Sequence, residues 1–258
     1  MPITLPIQTR RISQAEFGAL AFDVMQHVFA IHNEFGRFFD EKIYKRELAA
    51  RMGGVALELP ITVAHGSFST EYFLDVLVQE SGLFEFKAVE AIHPRHRGQT
   101  INYLLLAELG HAKIVNVRPE KVEHEFVNCS LRREQLRNPV VQDVGWDPLV
   151  PGAVLFRETL RALIADWGAG LELALYDAAL SHFLVGLADV SVHGSAGHLG
   201  EQRLRLAAPD VAFKLTALTE RRGGRGRSVF AMPRSVVSIK DSVASPQAAP
   251  ATATHHSD

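Results

Sequence analysis

Asp75, Glu85 and Lys87 are charged residues set in a run of alternating Val, Leu, Phe and Tyr that flanks Gln79-Glu80-Ser81-Gly82. That alternation predicts two strands joined by a hairpin. A three-residue loop, Glu80 to Gly82, with Gly82 in the left-handed position of a bulge, would pair Gln79 with Leu83 and Asp75 with Lys87. Opposite partners share a face, as do side chains two apart on one strand, so Asp75, Glu85 and Lys87 would converge. A two-residue loop would send Asp75 to the other face. Charge beside a hydrophobic hairpin is costly unless paired or metal-bound, and two readings follow. One is a cross-strand salt bridge on a solvent-facing sheet. The other is a magnesium site, with hard oxygen ligands from the carboxylates, water available for attack, and a lysine that orients the nucleophile or offsets phosphorane charge.

The elements that would position these residues can be read outward from the hairpin. Ser13 with Glu16 three later is a capping box, and Phe17, Leu20, Ala21, Val24, Val28 and Ile31 follow at helical spacing, predicting a helix over 14–34. Gly36 lets the chain turn into a second helix, about 39–52, that ends at Gly53-Gly54. Glu41, Tyr44 and Leu48 fall on one face of it, which makes Glu41 either a surface acid paired with Lys45 or a third acid beside the metal. A strand over 55–64 precedes the hairpin, with Pro60 marking an edge or a bend. After the hairpin, His93, Arg95 and Arg97 form a basic loop, solvated or in contact with phosphate. A helix over 98–109 sets Gln99 and Tyr103 one turn apart, and strands are expected at 113–117 and 124–129.

Asp75, then Glu85-x-Lys87, then Gln99-x-x-x-Tyr103 resembles the PD-(D/E)xK nuclease superfamily. More narrowly, Gly36 through Glu41 to Tyr44 and the run Glu85-Phe86-Lys87-Ala88-Val89-Glu90 resemble the GxxExxY family, over about residues 13–130. One departure is that Phe38 stands where the family has a glycine three before the Glu. The resemblance implies a restriction-endonuclease-like α/β (α+β) core, a mixed sheet flanked by helices. It implies Mg2+ or Mn2+ on Asp75 and Glu85, Lys87 at the attacking water, Glu41 as auxiliary acid, and Gln99 and Tyr103 positioning. Lys87 between two acids should stay protonated, which casts it as an electrostatic stabiliser more than a general base.

The chain has 258 residues, 47% of them hydrophobic, enough for one sizeable core or two modest domains. A net charge of -2 gives no global pull toward nucleic acid, so such contact must be local. A single cysteine, Cys129, excludes an intrachain disulfide and a cysteine zinc cluster. With neither a leader pattern nor an apolar run of membrane-spanning length, a soluble cytoplasmic protein is expected, without a membrane partner.

Residues 1–130 read as the nuclease-like domain and 131–152, with three prolines, as a linker crossing the surface. Residues 153–240 read as a second α/β half. There Trp167-Gly168 through Tyr176 to Leu180 repeats the layout of Phe35-Gly36 through Tyr44 to Leu48, but Leu173 takes the place of Glu41, and no acid is well placed before Lys214. This half reads as a degenerate tandem copy that lost its ligands. It would cap the sheet, pair with the first half, or hold substrate; a homo-oligomer is the other expectation. Arg221, Arg222 and Arg225 lie in a Gly-rich loop that is either a turn or a nucleic-acid contact, and 241–258 has too little apolar content to fold. The expected partner is nucleic acid, DNA and RNA being undecided. The competing function is a catalytically inactive nucleic-acid-binding or scaffolding protein on the same fold.

Overall fold

Ser13 opens the first long helix with both halves of a capping box: its hydroxyl accepts from the Glu16 amide at 3.2 Å, and its own amide donates to Glu16 Oε2 at 2.7 Å. The helix, α1 (Gln14–Phe35), buries Phe17, Leu20, Val24, Val28 and Ile31 and stops at Gly36, whose φ of +73° a side chain would resist. This computed structural model describes residues 2–140 and 149–216, together with the backbone of 218–219, 230–231 and 236–238. A short strand β1 (Ile3–Thr4) precedes α1, and α2 (Glu41–Arg51) follows it. The Tyr44 hydroxyl donates to the Gly36 carbonyl at 2.6 Å and fixes the turn between the two helices.

Six strands form the main sheet in the order β1-β2-β3-β4-β5-β6, with β2 (Val55–His65), β3 (Phe68–Val78), β4 (Gly82–Lys87), β5 (His111–Asn116) and β6 (Glu123–Asn128). Only β4 and β5 run parallel, and the crossover that parallel pairing requires is α3 (Pro94–Leu106). One apolar cluster joins α1 and α2 to Val76, Val78, Phe84, Phe86 and Val115. A second joins α3 to Leu77, Leu83 and Ile114 and continues into the second half. The result is a mixed sheet flanked by helices, consistent with the restriction-endonuclease-like fold.

The hairpin differs from expectation in register. Val78 pairs with Gly82, Leu77 with Leu83 and Val76 with Phe84, so the loop is Gln79-Glu80-Ser81 and the register places Asp75 level with Glu85 instead of Lys87. A shift of two residues keeps every side chain on its face, so Asp75, Glu85 and Lys87 still share one. The left-handed positions are Gln79 (φ 51°) and Glu80 (φ 57°). Gly82 is needed for another reason: a Cβ there would stand 2.6 Å from Leu20 Cδ2, so the glycine lets α1 close on the sheet.

The basic stretch is also helical earlier than expected. Pro94 begins α3, because proline at the first helical position sacrifices no hydrogen bond. The segment expected to be a surface linker contains α4 (Arg133–Leu136), and Leu131, Leu136 and Val150 pack against the core. The second half has α5 (Pro151–Trp167), α6 (Leu173–Phe183), the hairpin β7 (Gly186–Gly194) and β8 (Gly197–Ala208), and β9 (Val211–Phe213). Lys214 follows β9 outside any strand. Short strands β10 (Leu218–Thr219) and β11 (Phe230–Ala231) pair with each other, and β12 (Val236–Ser238) pairs with β9. Arg221, Arg222, Arg225 and the tail 241–258 lie outside the described residues.

The two halves share a core. Trp167, Leu175, Tyr176 and Leu180 join Leu59, Ile61, Val63 and Phe68 of the β2–β3 hairpin, and Trp167 Nε1 donates to the Ala64 carbonyl at 2.9 Å. No helix among the described residues is long and apolar enough to cross a membrane.

Gly82→Ala should destabilise the protein by about 1–3 kcal/mol through overpacking against Leu20, while Glu80→Gly should stabilise it by roughly 0.5–1 kcal/mol by relieving a left-handed backbone. Urea unfolding of both variants tests the pair. Equal effects would mean that the hairpin does not depend on the close approach of α1.

Candidate active site

The site lies where the sheet forks. Residue pairing between β3 and β4 runs from Val78 back to Val76, and beyond it the Asp75 side chain takes over: its Oδ2 accepts from the Phe86 amide at 3.0 Å. On the other side of β3, pairing with β2 runs through Leu57–Val76 and Leu59–Leu74 but skips Glu58 and Asp75. Glu58 has φ of +47°, a left-handed conformation that costs a non-glycine residue of order 1–3 kcal/mol.

Lys45 holds this bend. It is 4% exposed, its ammonium donates to Asp75 Oδ1 at 3.0 Å, and it forms a short bond with Glu58. Burial alone would lower its pKa, but the two carboxylates outweigh that and the net shift is upward. Lys45 and Glu58 were missed as site residues, and Lys45 pairs with Glu58 and Asp75, not with Glu41 as in the surface-acid alternative.

Glu85 is 1% exposed. Lys87 donates to its Oε1 at 2.6 Å, while its Oε2 is buried with no hydrogen-bond partner. Burial, then the Asp75 charge, pushes its pKa up to about 7 against the opposing pull of Lys87. Lys87 is itself driven down by burial, but Glu85, Asp75 and Glu41 more than offset this, and it is held protonated. Glu41, half-buried in the first turn of α2, has a raised pKa from burial first and from Asp75 second. These four ionisable groups therefore act on one another.

The strand end after Lys87 is clamped by Asn116. This fully buried side chain accepts from the Val89 amide at 3.1 Å and donates to the Val89 carbonyl at 2.8 Å. A polar residue in the apolar run Lys113-Ile-Val-Asn-Val117 is the sequence signal that could have found it.

From α3, Gln99 Nε2 donates to the Tyr103 hydroxyl at 3.0 Å. Tyr103 is raised by burial, with Glu85 and Asp75 adding to the shift, so both residues border the acids. The second half reaches this border too: the Glu172 amide donates to Asn102 Oδ1 at 3.0 Å, and Glu172 supports the upward shift that burial imposes on Tyr72.

The basic cluster divides. Arg97 is engaged in a bidentate pair with Glu125, at 2.5 and 2.7 Å. His93 and Arg95 are exposed at the start of α3, and Arg95 Nε donates to the buried His96 at 3.2 Å. Among the described residues, no three His, Cys, Asp or Glu side chains stand together as a ready metal cluster; ammonium groups occupy Asp75 and Glu85 instead.

A forked sheet that carries two acids and a lysine, with α3 beside them, is consistent with a restriction-endonuclease-like fold. In agreement, residues 19–128 match the family model of the PD-(D/E)XK nuclease superfamily. No curated protein and no solved structure gives a significant match to the chain.

Because the folded protein keeps a proton on Glu85 where the unfolded chain, with an ordinary value of 4.5, has lost it, stability should fall as pH rises from 4.5 through about 7. Urea midpoints across that window should fall more steeply in the wild type than in Glu85→Gln. Parallel slopes would show that Glu85 ionises freely.

Proposed function

We propose that the chain is a divalent-metal-dependent nuclease of the GxxExxY type. The observation that carries this reading is the unpartnered, buried Oε2 of Glu85. A buried acceptor left unmade costs about 1–3 kcal/mol, more if charged, and a hard cation is a partner that would satisfy it. The donor set fits magnesium or manganese: Glu85 and Asp75 would hold the ion, with Glu41 reaching it directly or through water. A divalent ion bound there supplies an activated water and neutralises charge on a phosphodiester.

The chain's own residues would then divide the remaining work. Lys87, held protonated at Nζ, offsets negative charge developing on the phosphate oxygens and is not the base that takes the proton from water. Gln99 and Tyr103 orient the bound phosphate, with Tyr103 neutral and able to donate. Asn116 fixes the backbone that carries Lys87. His93 and Arg95 are exposed and suited to phosphate backbone contact; Arg221, Arg222 and Arg225 are proposed for the same contact from the sequence alone. In the absence of metal, Lys45 and Lys87 hold the acids by charge pairing.

The competing reading is a catalytically inactive nucleic-acid-binding or scaffolding protein. It is favoured by the same ammonium groups, if they stand permanently where a cation would.

We infer also that the second half is a degenerate copy of the first. Helix, glycine, helix, hairpin and strand follow in the same order, and Tyr176 donates to the Gly168 carbonyl as Tyr44 does to Gly36, eight residues apart in each case. An experimental structure in which residues 151–213 fail to superpose on 14–87 would remove this inference.

Titration calorimetry with magnesium and manganese, followed by cleavage assays on single- and double-stranded DNA and RNA, separates the two functions. Binding should occur in the millimolar range or below, disappear in Asp75→Asn and survive in Lys87→Met, while Lys87→Met lowers cleavage by about 10²–10³-fold. A folded wild type that binds neither ion at millimolar concentration would support the inactive reading.

A further inference from the structure

Between α1 and α2, three and two residues before Glu41, the chain exposes Phe38 and Phe39. Phe38 is 77% exposed and Phe39 50%, in a loop of only a few residues. Scattered apolar side chains on a surface need no explanation, but these are adjacent, aromatic and held in place. Phe39 packs edge-on against Phe35 at 6.1 Å, and the Arg37 guanidinium sits over the Phe38 ring at 5.1 Å. Arg118 donates to the Arg37 carbonyl at 3.3 Å and to the Ala88 carbonyl at 3.5 Å, so one side chain ties the aromatic loop to the residue that follows Lys87. Between loop and strand lies a depression of about 420 Å3 lined by three acids, Asp40, Glu41 and Glu58, by three cations, Lys42, Lys45 and Arg118, and by Ala88.

We propose that Phe38, backed by Arg37, is a stacking platform for an unpaired base of single-stranded nucleic acid whose phosphate lies in this depression. The proposal rests on the nuclease reading for the position of the phosphate and adds the substrate class. Every base has a π-face, whereas a duplex has its faces covered by neighbours, so an exposed ring beside a phosphate site selects unpaired strands without reading sequence. Arg37 and Arg118, with Lys42 paired to the exposed Asp40 at 3.5 Å, provide the local positive charge that a phosphate backbone requires and that a net charge of -2 does not provide globally. The position is the one at which the motif calls for glycine, so the platform is a property of this chain.

The test is binding of a fluorescein-labelled single strand of mixed sequence, as DNA and as RNA, and of the corresponding blunt duplex, to the full chain in EDTA, with sedimentation of the same samples. Phe38→Ala should weaken single-strand binding roughly five- to a hundredfold and duplex binding less than about twofold, and Phe38→Trp should restore it. Equal losses on both substrates, no loss on either, or a change in oligomeric state in Phe38→Ala would overturn the proposal; the last would assign the rings to self-association. A parallel cleavage assay in magnesium keeps the two readings apart. Selective loss of single-strand binding in a protein that never cleaves upholds the platform and removes the nuclease. Cleavage with unaltered binding in Phe38→Ala does the reverse.

Discussion

Asp75 takes the amide of Phe86 with its side chain, and the architecture around the site depends on that substitution of a carboxylate for a strand carbonyl. Because the bond comes from a side chain, β3 is free to leave β4 at this point and carry on alone with β2. The fork opens a gap in which two ammonium groups and two acids can sit close to the sheet without being enclosed by it. Lys45, brought in by α2, bonds to the other oxygen of Asp75 and to Glu58, and thereby sets the bend in β2 that widens the gap. A buried ion pair is weak evidence for stability, since desolvation offsets most of the attraction. Its value here is geometric: one carboxylate fixes two strands and a helix.

The sequence made the acid-x-lysine and its face legible because a period of two is insensitive to an even slip. The register itself was not legible. Gly82 invites assignment to the turn, and only the contact with Leu20, sixty-two positions earlier in the chain, shows why the glycine is needed and why the left-handed backbone falls on Gln79 and Glu80. Lys45 was hidden for a related reason. On a helical wheel it lies next to Glu41, but its burial arises from the bend at Glu58, which no local pattern announces. Arg97 lies in a basic cluster, and its carboxylate partner Glu125 belongs to the far edge strand. Local periodicity therefore located the groups, and tertiary contacts decided their partners.

The helix ends were better determined. Ser13 and Gly36 act on groups of their own neighbourhood, so the capping box and the turn predicted there are observed, whereas α3 begins four residues before its expected start. The recurrence of glycine and tyrosine eight apart in both halves has the same origin, because the tyrosine hydroxyl closes onto the carbonyl of the glycine that ends the preceding helix.

The shared core has a consequence for how the protein is made. The flank of the β2–β3 hairpin formed by Leu59, Ile61, Val63 and Phe68 is covered by Trp167, Leu175, Tyr176 and Leu180. On the ribosome, every residue of the fork has emerged well before that cover has been synthesised. The nascent chain therefore carries an uncovered apolar flank on the hairpin that bears Asp75, and the hairpin can acquire its final packing only after α6 arrives. Maturation of the site is thus timed by translation of the half that contributes none of its acids.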